Sequence, residues 1–262
     1  MSVRERRRCI AEQINVLREV EFGRLAEHFD VSEMTIRRDI DALEEEGVLR
    51  RIVGGAIAAN GTAQEPSFRY RASIAAQEKE HIARGVVDLL SPGETVILDS
   101  GSTVLSVARE IGQRKLPLTI VTPSVLVAIE LSENEGIAVH LTGGMLRPGE
   151  LSLIGAETTQ NLSRFNCDTT VIGVAGVDSI GGISDYHHEE AYVKRAAMNV
   201  SKRTIVAADR SKLGKSALVK IASLSEISAL VTDASRHELT VREAELAGVS
   251  MFTVAPSEGV GT

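Results

Sequence analysis

Tryptophan is absent from the 262-residue sequence, and aromatic residues make up only 3% of it. Cysteine is scarce too: Cys9 and Cys167 lie far apart and lack the spacing of metal ligands. This scarcity argues against a disulfide framework and favours two reduced, packed thiols in a reducing cytoplasm. Long apolar runs are also missing, since no segment approaches the roughly 18 residues of a membrane span, and the charged N-terminus does not resemble a signal peptide. We therefore expect a soluble cytoplasmic protein with no membrane partner and no cofactor.

The sequence does contain enough apolar residues for a substantial core, with 43% hydrophobic residues, and it is acidic, with a formal net charge of −7. Such a charge argues against a nonspecific coat for nucleic acids. The first 59 residues hold ten arginines and no lysine against twelve acidic residues, a net of −2. Eight of these arginines nevertheless form three local groups that can meet phosphates: Arg4, Arg6, Arg7 and Arg8; Arg37 and Arg38; Arg50 and Arg51.

Two short helices are predicted on either side of a tight turn that precedes Ser32. Ser32 is a good N-cap for the second helix, because its side-chain oxygen can accept from the free backbone N–H groups of the first turn. Ile36, Ile40 and Leu43 then recur at the spacing of one helical face. With that face toward the core, the exposed face and its flanks present Glu33, Met34, Thr35, Arg37 and Arg38. This is the layout of a helix-turn-helix, whose second helix enters the major groove of DNA.

A β-hairpin is predicted after this helix, because residues 48–58 form two short strands around Gly54 and Gly55. A hairpin in this position is a wing, and its arginines would contact the sugar-phosphate backbone. A small helical interaction module with solvated arginines is the alternative, but several separate cues agree on DNA. The residues expected to contact DNA are Ser32, Glu33, Met34, Thr35, Arg37, Arg38, Arg50 and Arg51.

The segment "VSEMTIRRDIDALEEEGVLRRIVGGA" resembles the N-terminal signature of the DeoR family of bacterial transcription regulators. The match consists of a V-S start, T-I-R-R-D, an L-E pair, a G-x-L-x-R wing strand and a G-G-A turn. The resemblance implies sequence-specific binding to operator DNA, usually as a repressor.

Three regions are predicted along the chain: a winged helix-turn-helix over 1–58, a linker over 59–76 and an α/β domain over 77–256. From Gln77 onward, apolar runs alternate with helical segments, and they lie at 95–98, 118–122, 137–141, 169–176, 204–208, 227–232 and 249–255. Continuous apolar strands separated by helices predict a Rossmann-like, largely parallel sheet covered on both faces.

Small polar residues follow several of these strands, at the edge of an open α/β sheet where ligands bind. The loop 99–103 opens a helix, and its backbone N–H groups with the hydroxyls of Ser102 and Thr103 suit a phosphate. Lys194 and Lys212 could add positive charge. Asp99 and Asp209 could instead only cap helices, and Gly143 with Gly144 could only form a turn. Five such strand ends in one sheet favour a ligand site.

The second region also resembles the sensor domain of the DeoR family, which is similar in fold to ribose-5-phosphate isomerase. The matching segments include "LDSGST" at 98–103, "LTGGMLR" at 141–147, "GVAGVDSIGGIS" at 173–184 and "EEAYVKRAAM" at 189–198. The resemblance implies that the loop after the first strand binds the phosphate of an effector, through Ser100, Gly101, Ser102 and Thr103. The other positions expected to line the pocket are Asp99, Thr122, Gly144, Glu190, Lys194 and Lys212.

Two features depart from the simplest pattern. Pro123 stands where the family usually has asparagine, and it removes both a side-chain amide and a backbone donor. His187 and His188 lie beside carboxylates, but adjacent loop residues rarely bind one ion together, so we expect no metal. A polar lid that contacts sugar hydroxyls is the favoured interpretation of this segment.

Two functions from different classes follow. The first is a dimeric or tetrameric regulator, most often a repressor, whose affinity for operator DNA changes when it binds a phosphorylated sugar or polyol. The second is a sugar-phosphate isomerase fused to a DNA-binding domain, with Asp99, Glu190 and Lys194 as candidate acid and base groups. The sequence shows no segment that matches the catalytic acid and lysine of the isomerases, so a non-enzyme is expected. A plain interaction adaptor would leave the phosphate-type loop unexplained.

Overall fold

The computed structural model describes residues 1–17, 19–59 and 65–254. The chain divides into two compact units, Met1–Ile74 and Ala75–Thr262. Part of the predicted linker, 60–64, and the end of the predicted second domain, 255–256, lie outside the described residues. No helix in the described part of the chain is long and apolar enough to cross a membrane.

The first unit combines helices with a small antiparallel sheet. Its elements are α1 (Val3–Leu17), β1 (Glu19–Glu21), α2 (Phe22–Phe29), α3 (Glu33–Glu45), β2 (Leu49–Ile52), β3 (Gly55–Ala58) and α4 (Phe68–Ser73). The strand order is β1-β3-β2. Helices α2 and α3 form the predicted helix-turn-helix, and the β2–β3 hairpin forms the predicted wing.

The core of the first unit explains why α3 forms where it does. Ser32 caps it, since its Oγ accepts from the backbone N–H of Thr35 at 3.2 Å. Ile36 and Ile40 are fully buried, and Leu43 is nearly so. The hairpin turn lies one residue earlier than predicted, because Gly55 already belongs to β3 and pairs with Ile52 on β2 and Glu21 on β1. Glycine fits there because a Cβ would lie 2.1 Å from the backbone oxygen of Val20.

The predicted linker contains a helix that the sequence pattern did not indicate. Ser67 caps α4 by accepting from the backbone N–H of Tyr70 at 3.2 Å, and Tyr70 packs against the core of the first unit. A helix of six residues is too short to show an apolar periodicity. Residues 65–74 therefore belong to the first unit rather than to an extended connection.

The second unit is an α/β domain. Its strands are β4 (Thr95–Leu98), β5 (Thr119–Thr122), β6 (Ala138–Leu141), β7 (Met145–Arg147), β8 (Ser152–Ile154), β9 (Cys167–Gly173), β10 (Gly176–Asp178), β11 (Gly182–Asp185), β12 (Ser201–Ala207), β13 (Val219–Ala222), β14 (Ala229–Thr232) and β15 (Ser250–Thr253). Its helices are α5 (Ala76–Val87), α6 (Ser102–Arg114), α7 (Val125–Leu131), α8 (Ala156–Leu162), α9 (His188–Asn199) and α10 (Leu239–Leu246), with 3-10 turns at Arg210–Lys212 and Leu224–Glu226.

The main sheet confirms the predicted α/β class. Its seven strands have the order β15-β14-β12-β9-β4-β5-β6, and every neighbouring pair is parallel. Each of the seven predicted apolar runs corresponds to one of these strands. The short antiparallel strands were missed: β7 pairs with β8, and β11 lies between β10 and β13. Strands of three or four residues that contain glycine and polar residues carry little alternation to recognise.

The strand order positions the site. From β4 the chain adds β5 and then β6 on one side, and it adds β9, β12, β14 and β15 on the other. The order therefore reverses between β4 and β9, and the loops at their carboxyl ends diverge to opposite faces of the sheet. A crevice at such a switch point is where open α/β sheets bind ligands.

Candidate DNA-binding surface and effector site

The exposed face of α3 and the wing carry the predicted DNA contacts. Met34 is 60% exposed, and Arg38 on α3 and Arg50 on β2 are exposed as well. Within residues 1–17, 19–59 and 65–74, neither of these two arginine side chains has an ion pair or a hydrogen bond. Both are thus available to bind phosphates or base edges.

The other predicted DNA contacts are already engaged within the protein. The hydroxyls of Ser32 and Thr35 hydrogen-bond each other at 3.0 Å. Arg37 Nη2 lies 3.3 Å from Glu33 Oε2, and Arg51 Nη1 lies 2.6 Å from Asp41 Oδ1. The structure therefore divides the predicted DNA-contacting set into free and internally paired side chains.

Part of the N-terminal arginine group supports the fold instead of offering charge to DNA. Arg6 Nε donates to Asp39 Oδ2 at 2.6 Å, and Arg7 Nε donates to Asp39 Oδ1 at 2.8 Å. Asp39 and Arg6 are both buried. This role was not predicted, although an acid directly before Ile40 on the apolar side of α3 indicates a buried ion pair.

In the second unit, the loop between β4 and α6 has the features of an anion site. Gly101 has φ +107° with open space around its Cα, and it leads into α6. Among the described residues, no acceptor is found for the backbone N–H groups of Ser102, Thr103 and Val104. Ser100 and Ser102 are buried and Thr103 is half-buried. Free N–H groups at the positive end of a 13-residue helix suit a phosphate.

A buried lysine lies at the base of this loop. Lys194 on α9 makes a short ion pair with Asp99 and lies 3.3 Å from Asp185 Oδ2. Asp99 also accepts from the backbone N–H of Gly173 at 3.2 Å, which joins the ends of β4 and β9. Burial alone would lower the pKa of Lys194, but the charges of Asp99, Asp185 and Glu190 raise it above its ordinary value. Lys194 is therefore a protonated partner of carboxylates.

One turn earlier on α9, Glu190 binds the β7–β8 hairpin. Its Oε1 accepts from Ser152 Oγ at 2.6 Å, and its Oε2 lies 2.9 Å from Arg147 Nη1. Burial favours a raised pKa for Glu190, but the charge of Lys194, the Ser152 hydroxyl and Arg147 together lower the pKa. Glu190 is thus held as a carboxylate that fixes the hairpin against α9.

Thr122 and Gly144 serve the backbone around the loop. Thr122 is fully buried; its Oγ1 donates to the carbonyl of Leu98 at 2.6 Å and accepts from the N–H of Ser124 at 3.0 Å. Gly144 has φ +118°, and a Cβ there would lie 2.0 Å from Thr158 Oγ1. Both residues shape the ends of β5 and β6, and neither offers a free polar side-chain atom.

Two further predicted positions lie around this edge of the sheet. Lys212 is on the 3-10 turn that follows β12, so β9 separates its strand from β4. Pro123, in place of the family's usual asparagine, accepts from the N–H of Leu153 at 2.7 Å through its carbonyl. At this position the backbone therefore contributes an acceptor to β8.

Comparison with known proteins identifies both units. Residues 6–62 match the family model described as the DeoR-like helix-turn-helix domain, and residues 74–234 match the DeoR C terminal sensor domain. The chain belongs to the DeoR family of transcriptional regulators. The resemblance found in the sequence is thereby confirmed.

Relatives match this DeoR-family chain over most of its length. The glycerol-3-phosphate regulon repressor of Escherichia coli is 34% identical over 89% of this chain and 92% of its own. The transcriptional repressor AccR of Agrobacterium fabrum is 35% identical, over 87% of this chain and 90% of its own. The HTH-type transcriptional regulator YulB of Bacillus subtilis is 33% identical, over 98% and 99%.

Solved structures with a similar arrangement are more distant. A ribose 5-phosphate isomerase from Methanocaldococcus jannaschii has a TM-score of 0.39 at 18% identity, over 52% of this chain and 53% of that chain. The translation initiation factor eIF-2B of Pyrococcus horikoshii has a TM-score of 0.41 at 18% identity, over 55% and 50%.

The DeoR family assignment gives the two units their roles. The chain is a DNA-binding transcriptional regulator with a helix-turn-helix unit and a sensor unit. Operator DNA and a sensed effector are its two partners.

Proposed function

We propose that this DeoR-family regulator is a repressor that binds its operator through α3 and the wing and releases it when a phosphorylated sugar or polyol binds the β4–α6 loop. The observation that carries the effector class is the set of free backbone N–H groups at Ser102, Thr103 and Val104, at the switch point of the sheet. The similarity to the glycerol-3-phosphate regulon repressor of Escherichia coli supports this effector class, because glycerol 3-phosphate is a phosphorylated polyol.

In this proposal the surface that faces DNA carries Ser32, Glu33, Met34, Thr35, Arg37, Arg38, Arg50 and Arg51. The effector's phosphate accepts from the β4–α6 loop, and Ser100, Ser102 and Thr103 add hydroxyl donors. Asp99, Glu190 and Lys194 hold the loop, α9 and the β7–β8 hairpin in one arrangement. Lys212, on the turn after β12, lines the pocket on the far side of β9, and Thr122 and Gly144 maintain the backbone around the β4–α6 loop.

Regulation follows from unequal binding. An effector that favours one conformation of a cytoplasmic dimer or tetramer shifts the population toward it, and operator affinity changes by the ratio of the effector's affinities for the two states. A symmetric oligomer would present two winged units to a repeated operator.

The same geometry argues against an isomerase. A general base for proton abstraction should have a pKa near the working pH. Lys194 is protonated between Asp99 and Asp185, and Glu190 has a lowered pKa and is hydrogen-bonded to Ser152. Asp99 is engaged by Lys194 and by the backbone N–H of Gly173. None of the three groups is poised to remove a proton, so we propose that the effector is sensed and not converted. A ribose 5-phosphate turnover above the buffer rate that disappears in Glu190→Ala would contradict this.

The test is thermal unfolding of the full-length protein with a panel of sugar and polyol phosphates, each beside its unphosphorylated parent. A ligand at about 100 times its Kd adds about 2.7 kcal/mol, which corresponds to a Tm rise of roughly 5–11 °C for a unit of this size. We expect one phosphate ester to raise the Tm and the rise to be smaller in Ser102→Ala/Thr103→Ala, which keeps the backbone N–H groups but removes two hydroxyl donors. The matched control is Ser132→Ala/Ser163→Ala, which removes two exposed hydroxyls.

Two outcomes would refute the effector assignment: a Tm rise with unphosphorylated compounds alone, or a phosphate effect of unchanged size in Ser102→Ala/Thr103→Ala. The repressor assignment is tested separately, by adding the stabilising ester to the protein–operator complex. We expect the ester to weaken operator binding, and a tightening would contradict the proposed direction.

A further inference from the structure

The side chain of Phe22 lies where the recognition helix and the wing meet. It is the first residue of α2 and is 2% exposed. The guanidinium carbon of Arg37, on α3, lies 4.7 Å from the centroid of its ring. The guanidinium carbon of Arg51, on β2, lies 5.6 Å from the same centroid. One aromatic ring therefore contacts two arginines from two different DNA-facing elements at cation–π distances.

Acidic groups of α3 complete the contacts of these two arginines. Arg37 Nη2 pairs with Glu33 Oε2 at 3.3 Å, and Arg51 Nη1 pairs with Asp41 Oδ1 at 2.6 Å. The backbone N–H of Arg51 also donates to Glu44 Oε1 at 2.8 Å. The wing strand is thus attached to α3 by its backbone, by an ion pair and through the Phe22 ring.

We infer that Arg37 and Arg51 are positioning residues that fix the wing relative to the recognition helix on the ring of Phe22, whereas Arg38 is the arginine of α3 that contacts DNA. The inference deepens the proposed function and rests on operator binding. It assigns different roles to neighbouring arginines that sequence reasoning placed in one set.

Electrostatics separate the two roles. Arg37 and Arg51 each have a carboxylate partner within the protein, so their charges are largely balanced before DNA arrives. Arg38 is exposed and has no such partner within the described residues of the first unit. A cation without a carboxylate partner releases counterions from DNA when it neutralises a phosphate. This release of counterions sets the salt dependence of binding.

The experiment first selects an operator from a random DNA library with the full-length protein. Operator Kd is then measured between 50 and 200 mM salt for wild type, Arg38→Gln, Arg37→Gln, Arg51→Gln and Phe22→Leu. Arg109→Gln is the matched control, because it removes an exposed arginine in the second unit that is also paired with a carboxylate. Thermal unfolding of every variant establishes that it is folded.

We expect Arg38→Gln to reduce the slope of log Kd against log salt by about 0.9 per bound subunit. Arg37→Gln, Arg51→Gln and Phe22→Leu should leave that slope unchanged but weaken binding roughly 2- to 30-fold at every salt concentration, as expected when cation–π contacts of this kind are lost. Arg109→Gln should change neither quantity.

The inference is overturned if Arg37→Gln or Arg51→Gln reduces the slope as Arg38→Gln does, because both would then contact phosphates. It is also overturned if Arg38→Gln leaves slope and Kd unchanged. If Phe22→Leu unfolds, the Arg37→Gln/Arg51→Gln double variant decides: unchanged affinity excludes a positioning role. Failure to select any operator with wild type is a different result, which contradicts the proposed function itself.

Discussion

Replacing Lys194 with methionine removes the cation that lies among three buried carboxylates. Lys194 is 3% exposed, and its partners Asp99 and Asp185 are 3% and 5% exposed. Methionine fills a similar volume, but it leaves the carboxylates without their counter-charge. Breaking a buried pair in this way costs about 3–5 kcal/mol. For a unit of this size each kcal/mol lowers the Tm by about 2–4 °C, so we expect a loss of roughly 6–20 °C.

The loss should depend on pH in a defined direction. Burial raises the pKa of Asp99, and the charge of Lys194 opposes that rise. Without Lys194, the folded state holds a proton on Asp99 more tightly than the unfolded chain does, so stability falls as the pH rises through the raised pKa. The Tm of Lys194→Met should therefore fall less below that of wild type at pH 5 than at pH 8. In wild type the pKa of Lys194 is raised above its ordinary 10.5, so its contribution is constant over that range.

Scanning calorimetry of the full-length protein at pH 5 and pH 8 measures both effects. Lys202→Met is the matched control, because it removes an exposed lysine that pairs with Asp168 at 2.7 Å, and exposed pairs contribute little. A Tm of Lys194→Met equal to that of wild type would refute the reasoning. An equal Tm difference between wild type and Lys194→Met at both pH values would show that the buried carboxylates stay ionised without the lysine.

Three further predictions concern other parts of the chain. Asp39→Asn leaves the buried Arg6 without its carboxylate and should cost the first unit about 3–5 kcal/mol in urea unfolding, whereas a change within error would contradict a structural pair. Gly144→Ala places a methyl group against Thr158 Oγ1 at φ +118°. It should lower the free energy of unfolding by about 1–3 kcal/mol, measured as a lower midpoint in urea. Burial raises the pKa of Tyr70 to about 12, so stability should fall as the pH rises from 10 toward 12. Tyr70→Phe should remove the late step of a phenolate absorbance titration, and persistence of that step would assign it elsewhere.

The sequence was sufficient for those features whose cause is local. Ser32 caps α3 because a hydroxyl before a helix satisfies its first N–H groups, and Ile36 and Ile40 are buried because their spacing places them on one face. The seven strands of the main sheet were recognisable because strands buried on both faces are continuously apolar.

Contacts between residues far apart in the sequence could not be predicted in this way. Lys194 pairs with Asp99, 95 positions earlier, and Asp39 pairs with Arg6, 33 positions earlier. Charge at a position can be predicted, but its partner depends on strand order and helix packing. For that reason Lys194 was expected to add positive charge for a phosphate, while in the structure that charge is balanced by carboxylates.

The interior position of β4 in the sheet has a consequence for synthesis of the chain. Val96, Ile97 and Leu98 are fully buried between β5 and β9, yet Cys167, where β9 begins, leaves the ribosome 69 positions after Leu98. At about 5–20 residues per second, β4 waits roughly 3–14 s for its second neighbour. During that time the most apolar strand of the nascent sheet has one open edge, which is a template for aggregation. The first unit ends at Ile74, so a ribosome stalled after residue 141 would carry the whole DNA-binding unit and only part of the sensor.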